Sequence, residues 1–301
     1  MTGVAEPIGT WVAGLPMYDW PEVQEEVDAL WAAIAERLRA TGVDAPDGLW
    51  RPDRVGDLWV APNLLVGQVC GLDVVGDLRG RVEVLGALDY AVEGCAPGDY
   101  RSVLVCRAGD PAVDLAGCRG RRAAINGRDS QSGHGALLES VAPLAEGGRF
   151  FGEVVETGSH RESMLAVVEG RADLAAIDAV AWSLAASHEP AVDDLRIIGW
   201  TEPLPAPPLV VGWAQAGLRD TVNSAVADAV ASLGLEVRRP LDLYGYRVRP
   251  TLDYEVLADR LAGVSGIVAE LAREELSDVV ELTGRINELE RRIAERQGAA
   301  A

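Results

Sequence analysis

The sequence predicts an α/β protein of two lobes with a helical C-terminal extension. Three observations predict it. Between Tyr100 and Trp200, short apolar runs alternate with helical stripes, the pattern of βαβ units on a mostly parallel sheet. Pro203, Pro205, Pro207 and Pro208 then stiffen a segment that returns the chain to the first lobe, since each Pro fixes its own φ and restricts its predecessor. Beyond Tyr254, residues Val279, Leu282, Ile286, Leu289 and Ile293 keep 3-4 spacing, which predicts an amphipathic helix or short coiled coil.

Taken in order, Ile8–Leu15 is expected as a strand ending at Gly14-Leu15-Pro16. Val27, Leu30, Trp31, Ile34 and Leu38 form a helical stripe closed by Thr41-Gly42. Leu58–Val60 is expected as a strand, Asn63–Val69 as a helical step and Arg81–Leu85 as a strand. In the alternating region, strands are expected at Ser102–Arg107, Arg122–Asn126, Phe151–Glu156, Asp173–Ile177 and Leu195–Trp200. Helices are expected between them, at His134–Ala145, Arg161–Glu169 and Val180–Ser187. Leu209–Trp213 is expected as a strand and Thr221–Leu233 as a helix. Gly263, Gly266 and Gly284 weaken the tail as one rod, so a helix–break–helix is an equal reading.

The 301 residues carry 27 basic and 47 acidic side chains, a net charge of −20. Such a surface repels phosphate backbones and anionic headgroups, which argues against nucleic acid and membrane partners. It leaves an anionic ligand open, because backbone dipoles act locally while distant charge is screened. No segment approaches the ~20 apolar residues of a membrane span, and Met1–Trp20 shows no basic n-region, long apolar stretch or A-x-A site of the kind expected of a secretory leader. The location expected from this sequence is the cytoplasm, or the periplasm or extracellular space if a leader has been removed. Cys70, Cys95, Cys106 and Cys118 show no CxxC spacing and only three histidines are present, so no metal or cofactor is expected. The cysteines read as buried thiols, with a Cys95–Cys118 bridge as the alternative.

Three strand-to-helix junctions concentrate the polar chemistry. In Asn126-Gly-Arg-Asp-Ser-Gln-Ser-Gly133, hydroxyls and a glycine open a helix, whose free N–H groups and positive dipole end favour an anion. Plain N-capping by Ser is the competing explanation. In Thr157-Gly-Ser-His-Arg-Glu162, Ser159 and Glu162 form a capping box that puts His160 in the first turn. Asp178 ends an apolar strand, either to cap the next helix or to accept from a ligand amine or hydroxyl. In a parallel sheet all three junctions lie at the carboxyl edge, where ligands bind. No G-x-S-x-G, H-E-x-x-H or phosphate-loop motif occurs, so no catalytic residue is assigned.

Asp129-Ser-Gln-Ser-Gly133, Thr157-Gly-Ser-His160, Ala172–Asp178 and Pro203–Val211 together resemble the phosphate/phosphite/phosphonate-type solute-binding proteins of ABC transporters. Met17-Tyr-Asp19 and Gln68-Val-Cys-Gly71 resemble that family too. The resemblance spans roughly residues 8–255. It implies a type 2 periplasmic binding fold: lobe I from residues 1–98 and 200–253, lobe II inserted as 99–199, and a helical tail over 254–301. It also implies a ligand set of Tyr18, Ser130, Gln131, Ser132, Gly133, His160 and Asp178. The sequence departs from the family where the proline-rich return lacks an acid, where Gln131 replaces a common Thr, and where Leu72 replaces a frequent aromatic residue.

The function expected is a solute-binding protein that closes two lobes on a small anionic, phosphonate-like ligand. The crossings are expected near Tyr90–Ser102 and Ile197–Val211. An ABC permease is the expected partner if the protein is exported, and the C-terminal helix is a candidate homodimer contact. The alternative is a cytoplasmic enzyme on the same fold, a dehydratase-like lyase acting on a small carboxylate or phosphorylated metabolite.

Overall fold

A computed structural model describes residues 10–264. The expected strand residues before Thr10 and the amphipathic pattern from Val279 to Ile293 lie outside the described residues. In the first lobe, β1 (Val12–Gly14) leads through a 3-10 turn at Pro16–Tyr18 to α1 (Gln24–Ala40). There follow α2 (Val55–Trp59), β2 (Leu64–Gln68), α3 (Gly71–Val75) and β3 (Val82–Tyr90). Val27, Leu30, Trp31, Ile34 and Leu38 all turn inward on α1, as their spacing predicts.

The chain then crosses through β4 (Asp99–Tyr100) into the second lobe. That lobe comprises β5 (Ser102–Arg107), β6 (Arg122–Ile125), α4 (Ala136–Val141), β7 (Glu153–Glu156), α5 (His160–Val168), β8 (Leu174–Asp178), α6 (Ala179–His188) and β9 (Leu195–Trp200). It returns through β10 (Leu204–Pro205) to β11 (Pro208–Gly212), α7 (Arg219–Ser232), α8 (Leu235–Arg238), β12 (Leu243–Val248) and α9 (Glu255–Gly263). The two crossings pair with each other as a short antiparallel ladder, Leu204 opposite Tyr100 and Pro205 opposite Asp99.

The sheets are ordered β1-β2-β11-β3-β12 and β7-β6-β8-β5-β9. The expectation of mostly parallel sheets is corrected. Among the described strands only β1/β2, β6/β7 and β6/β8 pair in parallel. The reason is the crossing itself. A strand arriving from the other lobe enters at the edge where the parallel strands end, so β5 and β11 run against their neighbours.

Two local expectations are exchanged. Leu58–Val60 is not a strand but falls at the end of α2, with Leu58 buried on one turn. Asn63–Val69 is not helical; it holds β2, all five residues of which are buried. A continuous apolar run fits a strand covered on both faces as well as a buried helix, and periodicity does not separate them. The helix expected over His134–Ala145 starts earlier, in a π-type turn at Gln131–Gly135, and its α portion stops at Val141. Pro143 sits in the 3-10 turn that follows, where its missing N–H and its ring end regular helix.

The first sheet is covered on one face by a cluster centred on Trp31, Ile34, Val222 and Val226, and on the other by Leu64, Val84, Tyr254 and Leu257. The second sheet buries Val105, Ile177 and Met164 on one face and Leu104, Ile125 and Leu137 on the other. Val180 and Leu184 of α6 pack into the first lobe's cluster, so the lobes touch. All four cysteines are free thiols, which removes the Cys95–Cys118 alternative.

Candidate functional site

Both sheets present the carboxyl ends of their parallel strands to one cleft of about 460 Å³. The turn after β1 brings Met17, Tyr18 and Trp20, and beyond β2 come Cys70 and, on α3, Asp73. From the second lobe come Asn126, Ser130 and Ser132 after β6, Ser159 and His160 after β7, and Asp178 at the end of β8. The three junctions singled out in the sequence thus meet at one edge.

Tyr18 and Asp178 join the lobes. The Tyr18 hydroxyl donates to Asp178 Oδ2 at 2.9 Å, and both side chains are buried. Asp178 Oδ1 accepts from the amides of Val180 at 2.8 Å and Ala181 at 3.3 Å, capping α6. Burial pushes the Asp178 carboxyl up to about 6 despite these donors. Burial, with the neighbouring Asp178 charge, also raises the Tyr18 hydroxyl, so it stays a donor at neutral pH. The ring of Tyr18 meets Tyr90 edge-on at 4.9 Å, which fixes its direction.

Around Ser130 the backbone chooses a π-type turn because the amides of His134 and Gly135 both reach the Ser130 carbonyl, at 3.3 and 2.9 Å. Ser130 Oγ accepts from the Gly133 amide at 3.1 Å. That corrects one expectation: the Gly133 N–H is occupied by the cap. Helix geometry leaves the Gln131 and Ser132 amides without a carbonyl inside the helix. Ser130 keeps its own hydroxyl proton to donate. Gly133 is required for another reason, close approach. A Cβ there would stand 1.8 Å from Asn126 Oδ1 and 3.2 Å from His160 Cε1. Gln131 is 1% exposed, its amide atoms have no partner, and it does not line the cleft.

Ser132 and His160 meet on the cleft wall. Ser132 Oγ lies 2.9 Å from His160 Nε2, and the Ser132 carbonyl accepts from Ser102 Oγ at 2.9 Å, which ties the turn to β5. Gly158, at φ +92, lets the chain turn into α5. Ser159 Oγ then accepts from the Glu162 amide at 3.1 Å, one half of the expected capping box, and sets His160 at the first position. Burial pulls the His160 ring down to about 4, so it is neutral at pH 7 and offers a hydrogen bond rather than a charge.

Several cleft residues were not anticipated. Arg161 lines the cleft but pairs with Glu22 at 2.9 Å and Glu189 at 3.0 Å, and its guanidinium stacks 5.0 Å from the centre of the Trp20 ring. Trp59 enters from α2, its Nε1 donating to the Gln68 carbonyl at 3.1 Å. Asp73 and Asp129 face the cleft from opposite lobes. Burial, with the charges of Asp129 and Asp77, raises Asp73 to about 7. Cys70 Sγ reaches the Asp129 carbonyl at 3.9 Å, and burial pushes that thiol up to about 11. The helix misread as a strand hid Trp59, and Asp73 follows the strand misread as a helix. Asn126 was legible, as the residue after an apolar strand at the first junction.

The arrangement is thus two helix starts, a Ser–His pair and an interlobe tie around one cleft, with no unneutralised arginine on its lining among the described residues. The family model described as "ABC transporter, phosphonate, periplasmic substrate-binding protein" matches residues 77–248, more than half of the chain. No curated protein sequence matches the chain. Among solved structures, a binding-protein component of an ABC phosphonate transporter from Pseudomonas aeruginosa superposes with TM-score 0.67 at 16% identity, covering 96% of this chain and 99% of that one. PhnD1 from Prochlorococcus marinus in complex with methylphosphonate superposes with TM-score 0.65 at 14% identity, covering 86% and 99%. XAC2383 from Xanthomonas citri bound to ATP gives TM-score 0.63 at 19% identity, covering 86% and 98%. At these identities the structures speak to the fold, the type 2 periplasmic binding architecture. The matched family is one of binding proteins, which leaves the lyase alternative without support. No helix among the described residues is long and apolar enough to cross a membrane. The chain belongs to the periplasmic substrate-binding proteins of phosphonate ABC transporters.

Proposed function

We propose that the protein captures a small oxyanion of phosphonate type between its lobes and delivers it to a permease. The observation that carries this is the Ser132–His160 pair, 2.9 Å apart, set between two helix starts where both lobes line one cleft. In this reading Ser130 and Ser132 donate their hydroxyls, and the Ser132 amide donates from the backbone. Neutral His160 holds the Ser132 hydroxyl in position. Gly133 keeps the turn close to Asn126. Tyr18 and Asp178 hold the lobes together over the ligand, and the β4/β10 ladder is the hinge. The likeness of PhnD1, solved with methylphosphonate, supports the ligand class. In this reading the protein works outside the cytoplasm, as the matched family's description implies.

Titration calorimetry of the full chain with methylphosphonate, phosphate, a sulfonate and a carboxylate tests this. Heat is expected with at least one oxyanion, and Ser132→Ala and His160→Ala are expected to weaken it. Silence with all four, or unchanged affinity in both variants, would refute the site. A homodimer through the C-terminal segment is a separate proposal. Its test is sedimentation of the full chain against a chain ending after Val264, because Tyr254 and Leu257 belong to the first lobe's core and have to be kept.

A further inference from the structure

The cleft is larger and less polar than a compact oxyanion needs. The lobes already touch through Tyr18–Asp178 at 2.9 Å and through Cys70 Sγ and the Asp129 carbonyl at 3.9 Å, yet about 460 Å³ remains between them. Methylphosphonate has about five heavy atoms. At ~30 Å³ of liquid volume for a water-sized group, it fills about 150 Å³. Roughly two thirds of the space is left over, in the size range of sites for ligands with a substantial body.

The leftover space has its own chemistry. The groups suited to an oxyanion, namely Asn126, Ser130, Ser132 and His160, all belong to the second lobe. Beside Tyr18, Asp19, Cys70 and Asp73, the first lobe contributes the apolar part of the wall, Met17, Trp20, Val55 and Trp59, with Pro207 next to them on the return segment. The two indoles are held in place. Trp59 is tied by its Nε1 to the Gln68 carbonyl at 3.1 Å, and Trp20 is stacked under Arg161 at 5.0 Å. Fixed flat faces suit a flat apolar group at low entropic cost. Past Pro16, Asp19 and Val55 the cleft continues into a further 260 Å³ beside Trp50 and Pro52.

The charges on the walls limit the ligand from the other side. Asp73 and Asp129 face the cleft, and its one lining arginine, Arg161, is already paired with two glutamates. A second negative charge on the ligand would meet carboxylates with no cation to offset them. The high Asp73 value, near 7 from burial and the Asp129 and Asp77 charges, agrees with a site poor in positive potential.

We infer that, within the binding function proposed above, the ligand is an oxyanion with a single acidic head and a ring-sized apolar body lying against Trp59 and Trp20. It is neither a one-carbon phosphonate nor a polyphosphate. A hydrophobic pocket that accepts added carbon rewards it by about 10-fold or more. Calorimetry of the full chain with methylphosphonate, benzylphosphonate and pyrophosphate is the test. Benzylphosphonate is expected to bind at least about 10-fold more tightly than methylphosphonate, and pyrophosphate more weakly than either. Trp59→Ala is expected to erase that preference, lowering benzylphosphonate affinity at least about 10-fold more than methylphosphonate affinity. Trp59→Phe retains it and controls for folding. Ser132→Ala weakens both phosphonates alike. If both bind and the benzyl compound is no tighter, or Trp59→Ala lowers both equally, the inference is overturned and the oxyanion function stands. If neither phosphonate binds, and benzylsulfonate and benzoate are also silent, the oxyanion function itself falls and takes the inference with it.

Discussion

The buried carboxyl of Asp178 makes a pH-dependent contribution to stability that one substitution isolates. Asp178 is 3% exposed and its carboxyl lies at about 6, against an ordinary value of 3.8. The folded chain therefore holds this proton more tightly than the unfolded chain. The resulting stabilisation is fully present below about pH 3.8 and is lost as pH rises through about 6. A separation of about two pH units is worth of order 3 kcal/mol, of which about 2–3 kcal/mol falls between pH 4 and 7. Asp178→Asn removes the titration and keeps the geometry. The amide oxygen can cap α6 through Val180 and Ala181, and the amide nitrogen can donate to the Tyr18 hydroxyl oxygen. Urea unfolding of both proteins, followed by tryptophan fluorescence across pH 4–7, reads the difference directly. The wild type is expected to lose about 2–3 kcal/mol relative to Asp178→Asn over that range. Asp73 titrates in both proteins and cancels. Stability curves that stay parallel within about 0.5 kcal/mol would refute the reasoning, because an uncoupled site contributes no slope.

Three further outcomes follow from the same contacts. Tyr18→Phe deletes a buried hydrogen bond to a carboxyl and is expected to cost about 1.5–3 kcal/mol at pH 7, with a smaller cost in the Asp178→Asn background; a double-mutant cycle by urea unfolding measures this. Gly133→Ala forces a methyl against Asn126 Oδ1, and calorimetry with thermal unfolding is expected to show weaker ligand binding and a loss of about 1–3 kcal/mol. Arg260 of α9 meets Glu139 of α4 at 3.3 Å, and Val264 packs on Leu138 across the lobes. Arg260→Ala is expected to cost ~1 kcal/mol or less, since the arginine is partly exposed, and small-angle scattering of the ligand-free chain is expected to show a larger radius of gyration.

The order of strands and helices from Arg122 to Trp200 was legible because each element writes its own period. β6 is a short apolar run and α5 opens on a capping serine. The junctions at Ser130, Ser159–His160 and Asp178 were legible for the same reason, since caps and strand ends are local. Their partners were not. Nothing near Asp178 in the chain points to Tyr18, 160 positions away, and nothing near Ser132 says that its hydroxyl faces His160. The exchange of strand and helix at residues 55–69 has a related cause. Leu64–Gln68 is buried throughout and apolar up to Gly67, and burial on both sides erases the alternation that marks a strand.

By itself the sequence determined the α/β class, the inserted second lobe's succession of elements, the stiff return at Pro203–Pro208 and the family resemblance. All of these rest on short-range patterns of polarity, capping and proline stereochemistry. Only the tertiary structure decided that β5 and β11 run against their neighbours, that the Gly133 amide is spent on a cap, and that Trp59 and Asp73 line the cleft. Those outcomes depend on which edges two sheets present to each other. Edges meet through the whole chain's packing, which no local period encodes.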